Sequence, residues 1–295
     1  MDKGNAGKPS VSAVILTWNR REDLAQTLDI LSTDPYENLE IIVIDNNSTD
    51  DTDKMVTGRF PAVSYLKLED NVGIAGYNIG FKKAAGEYIV AFDSDSYPHR
   101  DAIGKMVKLF DENRDAGVVA FDVHSPTQTA LNADIKDNSV NEIVGYHGAG
   151  VGFRREVFRD AGYWFEPFFL YFNEMDHAMR VSRAGYKIIR TPSIRAFHKS
   201  SISSRPSANG PYYYVRNALW LAWRNYPLFP MFWTTLHIIY MAVSEAFNQH
   251  TFIYIKALYD AFVRIDEIIA SRDPLKTELF RKTRVPLSLA FSRWG

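Results

Sequence analysis

The sequence predicts an α/β protein with a mostly parallel sheet, flanking helices and a C-terminal helical region. Three observations support this prediction. Short apolar runs alternate with amphipathic segments of helical length over the first half of the chain, and each run ends in a polar residue. From residue 212 onward the pattern is helical throughout. Apolar runs separated by helices are typical of parallel strands that are buried on both faces.

The predicted elements alternate as far as residue 112. Val11–Thr17 is a buried strand, and residues 20–31 form a helix with leucines on one face. Leu39–Asp45 is the second strand, and residues 48–51 offer capping side chains to the helix that follows. The next predicted elements, in alternating order of strand and helix, are residues 63–68, 77–85, 88–93 and 101–112.

The alternation stops after residue 112. A strand is predicted at residues 118–123, a helix at 174–184 and two short strands at 187–189 and 194–197. The Ser-rich segment 199–211 is predicted to be a mobile loop. We therefore expect three parts, which are a disordered leader at 1–9, a main domain at 10–205 with halves 10–100 and 101–205, and a helical region at 206–295.

Composition excludes several classes of function. The formal net charge of -1 argues against nucleic-acid binding, which needs a basic face. Zero cysteines exclude disulfides, thiolate metal sites and a cysteine nucleophile. The polar first residues lack the apolar core of a signal peptide, which predicts a cytoplasmic protein. The apolar stretch 228–247 contains Pro230, His237 and Glu245, so we expect it to lie on a membrane rather than cross one.

Polar residues follow the predicted strands where each strand ends. Thr17, Asp45 and Asp93 each occupy such a position. Parallel sheets place their ligands at the carboxyl ends of the strands, so these three side chains are predicted to meet in one crevice.

The sequence Asp93-Ser94-Asp95 is a candidate metal site. Two carboxylates at the end of an apolar strand are costly unless they bind a cation or hydrogen-bond donors. Oxygen ligands without thiolates favour Mg²⁺ or Mn²⁺. A solvated turn is the alternative for this triplet taken alone.

A glycine-rich and asparagine-rich segment precedes this triplet at residues 71–80. Its glycines, including Gly73, permit close backbone approach to a ligand, and Asn71 and Asn78 can bond to ribose or phosphate. The alternative is a glycine-rich turn before a helix.

In combination these segments resemble the N-terminal half of the family 2 glycosyltransferases, which have the Rossmann-like GT-A fold. The resemblance rests on VSAVILTWNR, IIVIDNNSTD, NVGIAGYNIG and YIVAFDSDS in this order. It continues through GVGFRREVFRDAGYW, FFLYFNEMDHAMR and TPSIRAFHKS, so it covers residues 10–201.

The resemblance implies a role for each matching residue. Thr17 and Asp45 are expected to contact the base and ribose, and Asp93 and Asp95 to bind the ribose and the metal-bound diphosphate. His198 is expected to complete the metal site. The residues predicted to bind substrate on the donor side are Thr17, Asn19, Asp45, Asn71, Gly73, Asn78, Asp93 and Ser94.

Sugar transfer also requires a base for the acceptor hydroxyl and a neutralised leaving diphosphate. A carboxylate on the helix at FNEMD has the first role in the resembling enzymes. Many of them have Glu-Asp where this chain has Asn173-Glu174, so Glu174 is the base by position and Asp176 is the alternate. The other interpretation of Asp176 is an i,i+4 ion pair with Arg180.

Two further groups are predicted around the site. Lys199 and Arg205 are expected to close over the diphosphate from the Ser-rich loop. Trp164 is predicted to contact the acceptor, whereas the FFLYF run suits a core as well as a sugar-binding surface.

The sequence thus predicts an inverting, non-processive glycosyltransferase that uses a UDP- or dTDP-sugar, Mn²⁺ or Mg²⁺, and a saccharide or lipid-linked acceptor. The alternatives are a catalytically silent nucleotide-sugar-binding module and a nucleotidyltransferase, although VILTWNRRED lacks the glycine pattern of a triphosphate loop. The C-terminal region has a basic cluster at Lys276, Arg281, Lys282 and Arg284. This region is predicted to bind the inner membrane surface, to form a homo-oligomer or to cap the catalytic domain.

Overall fold

A central sheet organises the computed structural model, which describes residues 8–127, 137–199 and 209–284. Nine strands belong to this sheet within the described ranges. They are β1 Val11–Thr17, β2 Leu39–Asp45, β3 Ser64–Lys67, β4 Tyr88–Asp93, β5 Ser96–Pro98, β6 Ala116–His124, β7 Asn141–Ile143, β8 Val151–Arg154 and β9 Lys187–His198.

The strand order is β3-β2-β1-β4-β8-β6-β9-β5, and β7 also pairs with β9. The first four strands in this order are parallel to one another, and the register pairs Thr17 with Asp45 and Leu16 with Asp93. The polar strand ends therefore reach the same edge of the sheet, as predicted. In the second half β8 runs antiparallel to β4 and β6, and β9 runs parallel to β6.

Helices cover both faces of the sheet. They are α1 Arg21–Ser32, α2 Thr52–Arg59, α3 Ala75–Lys83, α4 Ala102–Glu112, α5 Glu156–Asp160, α6 Asn173–Arg183, α7 Gly210–Asn225, α8 Leu228–Asn248, α9 Ile253–Val263, α10 Ile265–Ala270 and α11 Thr277–Thr283. A 3₁₀ turn, Glu166–Phe168, precedes α6.

Two apolar cores lie on opposite faces of the sheet because side chains alternate along each strand. Val14 and Ile44 belong to one core, and Ile15 and Val43 belong to the other. The first core also includes Trp220 of α7, so the C-terminal helices share a core with the sheet. The α/β class and the C-terminal helical region are confirmed.

The structure differs from the sequence prediction in several elements. The two short strands predicted at 187–189 and 194–197 form the single strand β9. The sequence prediction missed the short strands β5, β7 and β8. The predicted leader lies almost entirely outside the described residues, and so does most of the predicted loop at 199–211.

Exposed apolar side chains are concentrated on α8 and on α9 with its N-cap residue. We call them the apolar hairpin surface, which comprises Leu228, Phe229, Phe232, Trp233, Leu236, Tyr240, Phe247, Phe252, Ile255, Tyr259, Phe262 and Val263. Their exposed fractions range from 39% at Ile255 to 86% at Phe252, so this surface has no cover within the described chain. Across the described ranges, no helix has both the length and the hydropathy needed to cross a membrane.

Candidate active site

A cavity of about 780 Å³ opens at the carboxyl ends of β1 and β4. Parallel strands bind ligands at this edge because the loops that follow them converge there. Several predicted site residues line the cavity, namely Thr17, Asn71, Gly73, Asp93, Ser94, Asp95, Trp164, Glu174 and His198.

Asp93, Asp95 and His198 converge in this cavity. Asp93 ends β4 and Asp95 precedes β5, while the pairing of Ser96 with His198 brings the end of β9 beside them. His198 Nε2 lies 3.2 Å from Asp95 Oδ1 and 3.5 Å from Asp93 Oδ2. One potential ligand atom from each of the three residues lies within 4.8 Å of the other two. Two carboxylate oxygens and one imidazole nitrogen form a donor set that can hold a divalent metal ion.

The charges in this cluster stabilise each other. Burial opposes ionisation of Asp95, but the hydrogen bond from His198 and the charges of His198 and Arg20 hold the Asp95 pKa below its usual value. Burial also opposes protonation of His198, yet its hydrogen bond to Asp95 and the charges of both aspartates raise its pKa. Arg20 Nη1 lies 3.1 Å from Asp95 Oδ2. Asp95 is therefore held ionised, as a metal ligand must be.

Tyr77 on α3 fixes the second carboxylate. Its hydroxyl donates to Asp93 Oδ1 at 2.7 Å and also lies 2.9 Å from the Phe92 carbonyl oxygen. Burial and the charge of Asp93 raise the pKa of Tyr77 well above its ordinary value, so the hydroxyl stays protonated. Tyr77 thus acts as a fixed donor that orients Asp93.

The two other strand ends differ from each other. Thr17 lines the cavity, and its buried hydroxyl oxygen has no hydrogen-bond partner within the described structure. Asp45 lies outside the cavity lining and is fully buried. Its Oδ1 accepts the Ser48 N–H at 2.7 Å and its Oδ2 accepts the Tyr65 hydroxyl. Each Asp45 oxygen therefore accepts one hydrogen bond from the protein, and the expected contact of Asp45 with the base and ribose stays a prediction.

The loop that includes Asn71 and Gly73 forms one wall. Asn46 Nδ2 donates to the Gly73 carbonyl at 2.9 Å, and Asn71 Oδ1 accepts the Gly73 N–H at 2.9 Å. Gly73 has a φ of +61°, and a Cβ there would lie 2.2 Å from the Phe169 carbonyl oxygen. Only glycine fits this position, since the left-handed conformation and the close backbone contact both exclude a side chain.

Asn78 and Asn19, both predicted to bind substrate, lie in different environments. Asn78 is buried in α3, where its side chain donates to the Trp164 carbonyl at 2.8 Å and accepts the Trp164 N–H at 3.0 Å. Asn19 lies beside the cavity and accepts the Thr49 N–H at 2.7 Å. The buried Asn78 amide therefore connects two segments of the protein, whereas the exposed Asn19 stays a predicted nucleotide contact.

Glu174 faces the metal cluster from the first turn of α6 and lines the same cavity. Burial raises its pKa above the usual value, while the nearby His147 and backbone N–H groups at Glu174 and Gly148 act in the opposite direction. A carboxylate with a raised pKa is a stronger proton acceptor near neutral pH. The position and environment of Glu174 fit a general base.

Asp176 is completely buried on the other side of α6. It accepts hydrogen bonds from Arg180 Nε at 2.8 Å, Arg224 Nε at 3.0 Å and Asn225 Nδ2 at 2.8 Å. Despite burial, the charges of Arg180 and Arg224 lower its pKa to about 2. The alternate assignment of the base to Asp176 does not fit. Its oxygens already pair with Arg180 and Arg224, and it lies outside the cavity lining.

The remaining predicted residues are Trp164, Lys199 and Arg205. Trp164 is 2% exposed, and its Nε1 donates to the Tyr146 hydroxyl at 3.1 Å, so little of its ring is open to an acceptor. Lys199 pairs with Asp23 on α1 at 2.9 Å. Arg205, the other predicted closing residue, lies outside the described residues.

Sequence reasoning missed several residues that line the cavity, among them Arg20, His147, Asn209 and Tyr213. Phe169 and Tyr171 also line it, and they belong to the FFLYF run that suits a core as well as a sugar-binding surface. The His147 ring lies 5.5 Å from that of His198, and His147 Nδ1 accepts the Ala149 N–H at 3.1 Å. The glycine-flanked segment GYHGAG was the available signal for His147. No local signal identified Asn209 or Tyr213, because both follow the predicted domain boundary.

The family model for Glycosyl transferase family 2 matches residues 12–162. The chain is similar to the poly-beta-1,6-N-acetyl-D-glucosamine synthase of Staphylococcus epidermidis, with 25% identity over 171 residues that cover 52% of this chain and 42% of the synthase. The chain spans between 15% and 44% of the length of several curated relatives that it matches.

Two solved structures share this fold. One is the mannosyltransferase PcManGT from Pyrobaculum calidifontis with GDP-Man and Mn²⁺, with a TM-score of 0.59 and 17% identity over 98% of this chain and 80% of that one. The other is TarS 1-349 from S. aureus with UDP-GlcNAc, with a TM-score of 0.59 and 16% identity over 89% of this chain and 84% of that one. At these identities the similarity establishes the fold.

Proposed function

Because the chain belongs to Glycosyl transferase family 2, we propose that it is an inverting, non-processive glycosyltransferase that uses a UDP- or dTDP-sugar. The observation that carries this proposal is that Asp93, Asp95 and His198 line the same cavity as Glu174. The acceptor is a saccharide or a lipid-linked saccharide of a surface polysaccharide pathway. Similarity to a polysaccharide synthase supports this class of product.

Glu174 supplies the base in this proposal. The acceptor hydroxyl attacks the anomeric carbon, and its proton passes to a Glu174 carboxylate oxygen. The bond between the anomeric carbon and the diphosphate oxygen breaks, and the diphosphate leaves with the electron pair. Attack from the face opposite the leaving group inverts the anomeric configuration.

The donor diphosphate is placed against Asp93, Asp95 and His198. These residues would hold Mn²⁺ or Mg²⁺, which supplies positive charge to neutralise the leaving diphosphate. Tyr77 fixes Asp93, and Arg20 contacts Asp95 from the rim. Thr17 offers the donor its unpartnered hydroxyl, and the Gly73 loop supplies backbone close to the ligand.

The apolar hairpin surface supports the lipid-linked form of the acceptor. Tyr212, next to the cavity-lining Tyr213, donates to Asp260 of α9 at 2.8 Å, so α9 packs close to the cavity. A bilayer that covered α8 and α9 would bring the saccharide of a lipid-linked acceptor near Glu174. The location that goes with this proposal is the inner face of the cell membrane.

A donor panel tests the proposed function. Thermal shift with Mn²⁺ should show stabilisation by UDP- or dTDP-sugars, because a ligand that binds only the folded state raises its stability. Wild-type protein with the stabilising donor should then release free nucleoside diphosphate. Binding without release would instead identify a silent nucleotide-sugar-binding module.

The metal cluster has a matched control within the chain. Asp95→Asn should abolish the Mn²⁺-dependent part of the shift and the release of nucleoside diphosphate. Asp122→Asn alters another Asp-His pair, in which Asp122 Oδ2 lies 2.8 Å from His124 Nε2 outside the cavity lining. This control should behave like wild type, and equal loss in both variants would contradict the assignment.

A further inference from the structure

The loop between the 3₁₀ turn and α6 has an unusual backbone. Phe169, Tyr171 and Phe172 all have positive φ, with values of 62°, 64° and 68°. The Leu170 N–H donates to the Phe168 carbonyl at 2.7 Å, which makes a γ-turn centred on Phe169. Bulky residues rarely adopt this conformation, and the surrounding structure must maintain it.

This loop connects both sides of the proposed active site. The Phe169 carbonyl accepts the Ile74 N–H at 2.9 Å, next to Gly73 on the donor side. Phe172 is the N-cap residue of α6, and Glu174 follows within the first turn. Phe169, Leu170 and Tyr171 line the cavity themselves. A shift of the loop therefore moves the base and part of the cavity wall together.

Asn217 of α7 binds the loop through its side-chain amide. Its Nδ2 lies 2.6 Å from the Leu170 carbonyl oxygen, 2.9 Å from that of Phe168 and 3.2 Å from that of Tyr171. The side chain is 0% exposed. An amide that meets three backbone carbonyls in a buried site fixes backbone geometry, because water cannot replace it there.

Arg216 orients this amide. Its Nε donates to Asn217 Oδ1 at 2.9 Å, and because arginine is only a donor the oxygen must face Arg216 and the NH₂ must face the loop. Arg216 Nη2 donates to the carbonyls of Phe168 at 2.8 Å and Pro167 at 3.1 Å. The Arg216 guanidinium lies 4.2 Å from the centroid of the Trp220 ring, which holds it against α7.

We infer that Asn217, supported by Arg216, is a positioning residue for the acceptor side of the active site. It holds the strained loop so that Glu174 and Tyr171 face the cavity. The C-terminal helical region therefore contributes to the geometry of the active site as well as to the core. This inference rests on the proposed function for the role of Glu174, whereas the contact with the loop is independent of any activity.

The test compares Asn217→Ala with Thr235→Val. Thr235 Oγ1 on α8 accepts a hydrogen bond from Trp223 Nε1 on α7 at 2.8 Å. The control therefore also removes a side-chain hydrogen bond of α7 but leaves the loop contacts in place. We expect Asn217→Ala to lower turnover about 10- to 100-fold, since small displacements of a catalytic group have effects of this size. Affinity for UDP with Mn²⁺ should change less than about threefold. General misfolding would instead lower both turnover and affinity. Thr235→Val should retain wild-type turnover.

Hydrogen exchange of a peptide that covers residues 166–176 provides a second measurement. Asn217→Ala should exchange faster there than Thr235→Val. Equal exchange in the two variants, or wild-type turnover in Asn217→Ala, would overturn the inference. Wild-type protein that neither binds UDP with Mn²⁺ nor shows turnover would defeat the proposed function, and the exchange comparison would still decide the loop contact. If Asn217→Ala does not fold, Arg216→Lys replaces it in the exchange measurement. We expect residues 166–176 to exchange faster in this variant, and unchanged exchange would count against the inference.

Discussion

Glu174 carries the chemistry in the proposed reaction, and a single atom change tests it. Glu174→Gln keeps the size of the side chain but removes its ability to accept a proton. We expect turnover to fall about 10²- to 10⁴-fold while the affinity for UDP with Mn²⁺ stays near wild type. Steady-state kinetics and calorimetry measure the two quantities. Glu142→Gln, at an exposed position on β7, is the control and should keep full turnover.

Gly73 shows how a single residue can restrict the cavity wall. Gly73→Ala places a Cβ 2.2 Å from the Phe169 carbonyl oxygen and keeps a φ of +61°, so it should destabilise the fold by about 1–3 kcal/mol. Gly58→Ala is the matched control, because a Cβ there has no neighbouring atom within 4 Å. Alanine at this position should stabilise α2 by about 0.5–1 kcal/mol. Chemical denaturation measures both. Equal stability changes in the two variants would contradict the assigned role of Gly73.

At the residue scale, sequence reasoning predicted side chains whose environment is local and missed those with distant partners. Asp93 and His198 end apolar strands and Asp95 lies between β4 and β5, and a strand end restricts where a side chain can lie. Asp45 also ends a strand, but Tyr65 and Ser48 occupy its oxygens. Asn78 binds the backbone of Trp164, 86 residues away. Pairings over such distances depend on the folded chain and have no signature in the local sequence.

At the scale of elements, α6 is held in place by buried polar groups. A chain of hydrogen bonds runs from Trp164 Nε1 to the Tyr146 hydroxyl, from Tyr146 to His177 Nδ1 at 2.7 Å, and from His177 Nε2 to the Gly162 carbonyl at 2.9 Å. This pattern requires the neutral Nε2–H form of His177. Burial and the charge of Arg180 lower the pKa of His177 to about 3.

The neutral His177 predicts acid sensitivity of the fold. The unfolded chain binds a proton at this residue near its ordinary pKa of about 6.5, whereas the folded chain does so only near pH 3. Stability is therefore lost as pH falls from about 6.5 toward 3, by about 2 kcal/mol between pH 7.5 and 5.0 from this group alone. Denaturation of His177→Gln should show a smaller loss than wild type over this range. The exposed His237→Gln is the control, and equal pH dependence in all three proteins would contradict the prediction.

The order of elements was predictable only where the alternation of strand and helix was regular. β1, β2 and β4 follow that rule and pair in parallel as expected. β8 inserts antiparallel between β4 and β6, a pairing that joins segments more than 30 residues apart through a polar region. α6 was predicted from its periodicity, but the loop before it depends on Asn217, which no local pattern connects to it.

At the scale of the whole molecule, the division into domains is less marked than the sequence suggests. The predicted boundary near residue 205 separates the sheet from the C-terminal helices in sequence. In the structure, Asn209 and Tyr213 line the active-site cavity and α7 is buried against the rest of the protein. We therefore propose that the helical region is part of one folding unit with the sheet. Its outer helices then expose the apolar hairpin surface.

We propose that an anionic bilayer covers the apolar hairpin surface. Trp233 and Tyr240 on this surface are residue types that favour the membrane interface, and the exposed basic cluster at Lys276, Arg281, Lys282 and Arg284 lies close to one end of α8, where Phe280 packs on Tyr226. Wild-type protein should float with vesicles that contain phosphatidylserine and less with purely zwitterionic vesicles.

Substitution within the surface tests this prediction against dimerisation. The double variant Phe232→Glu, Trp233→Glu should lose flotation, because each charge at a bilayer interface opposes insertion of the apolar face. Leu66→Glu alters an exposed apolar residue on β3, far in sequence from the hairpin, and should float like wild type. A wild-type dimer in solution that fails to float, and that the double variant converts to monomer, would show that a second copy of the chain covers the surface instead.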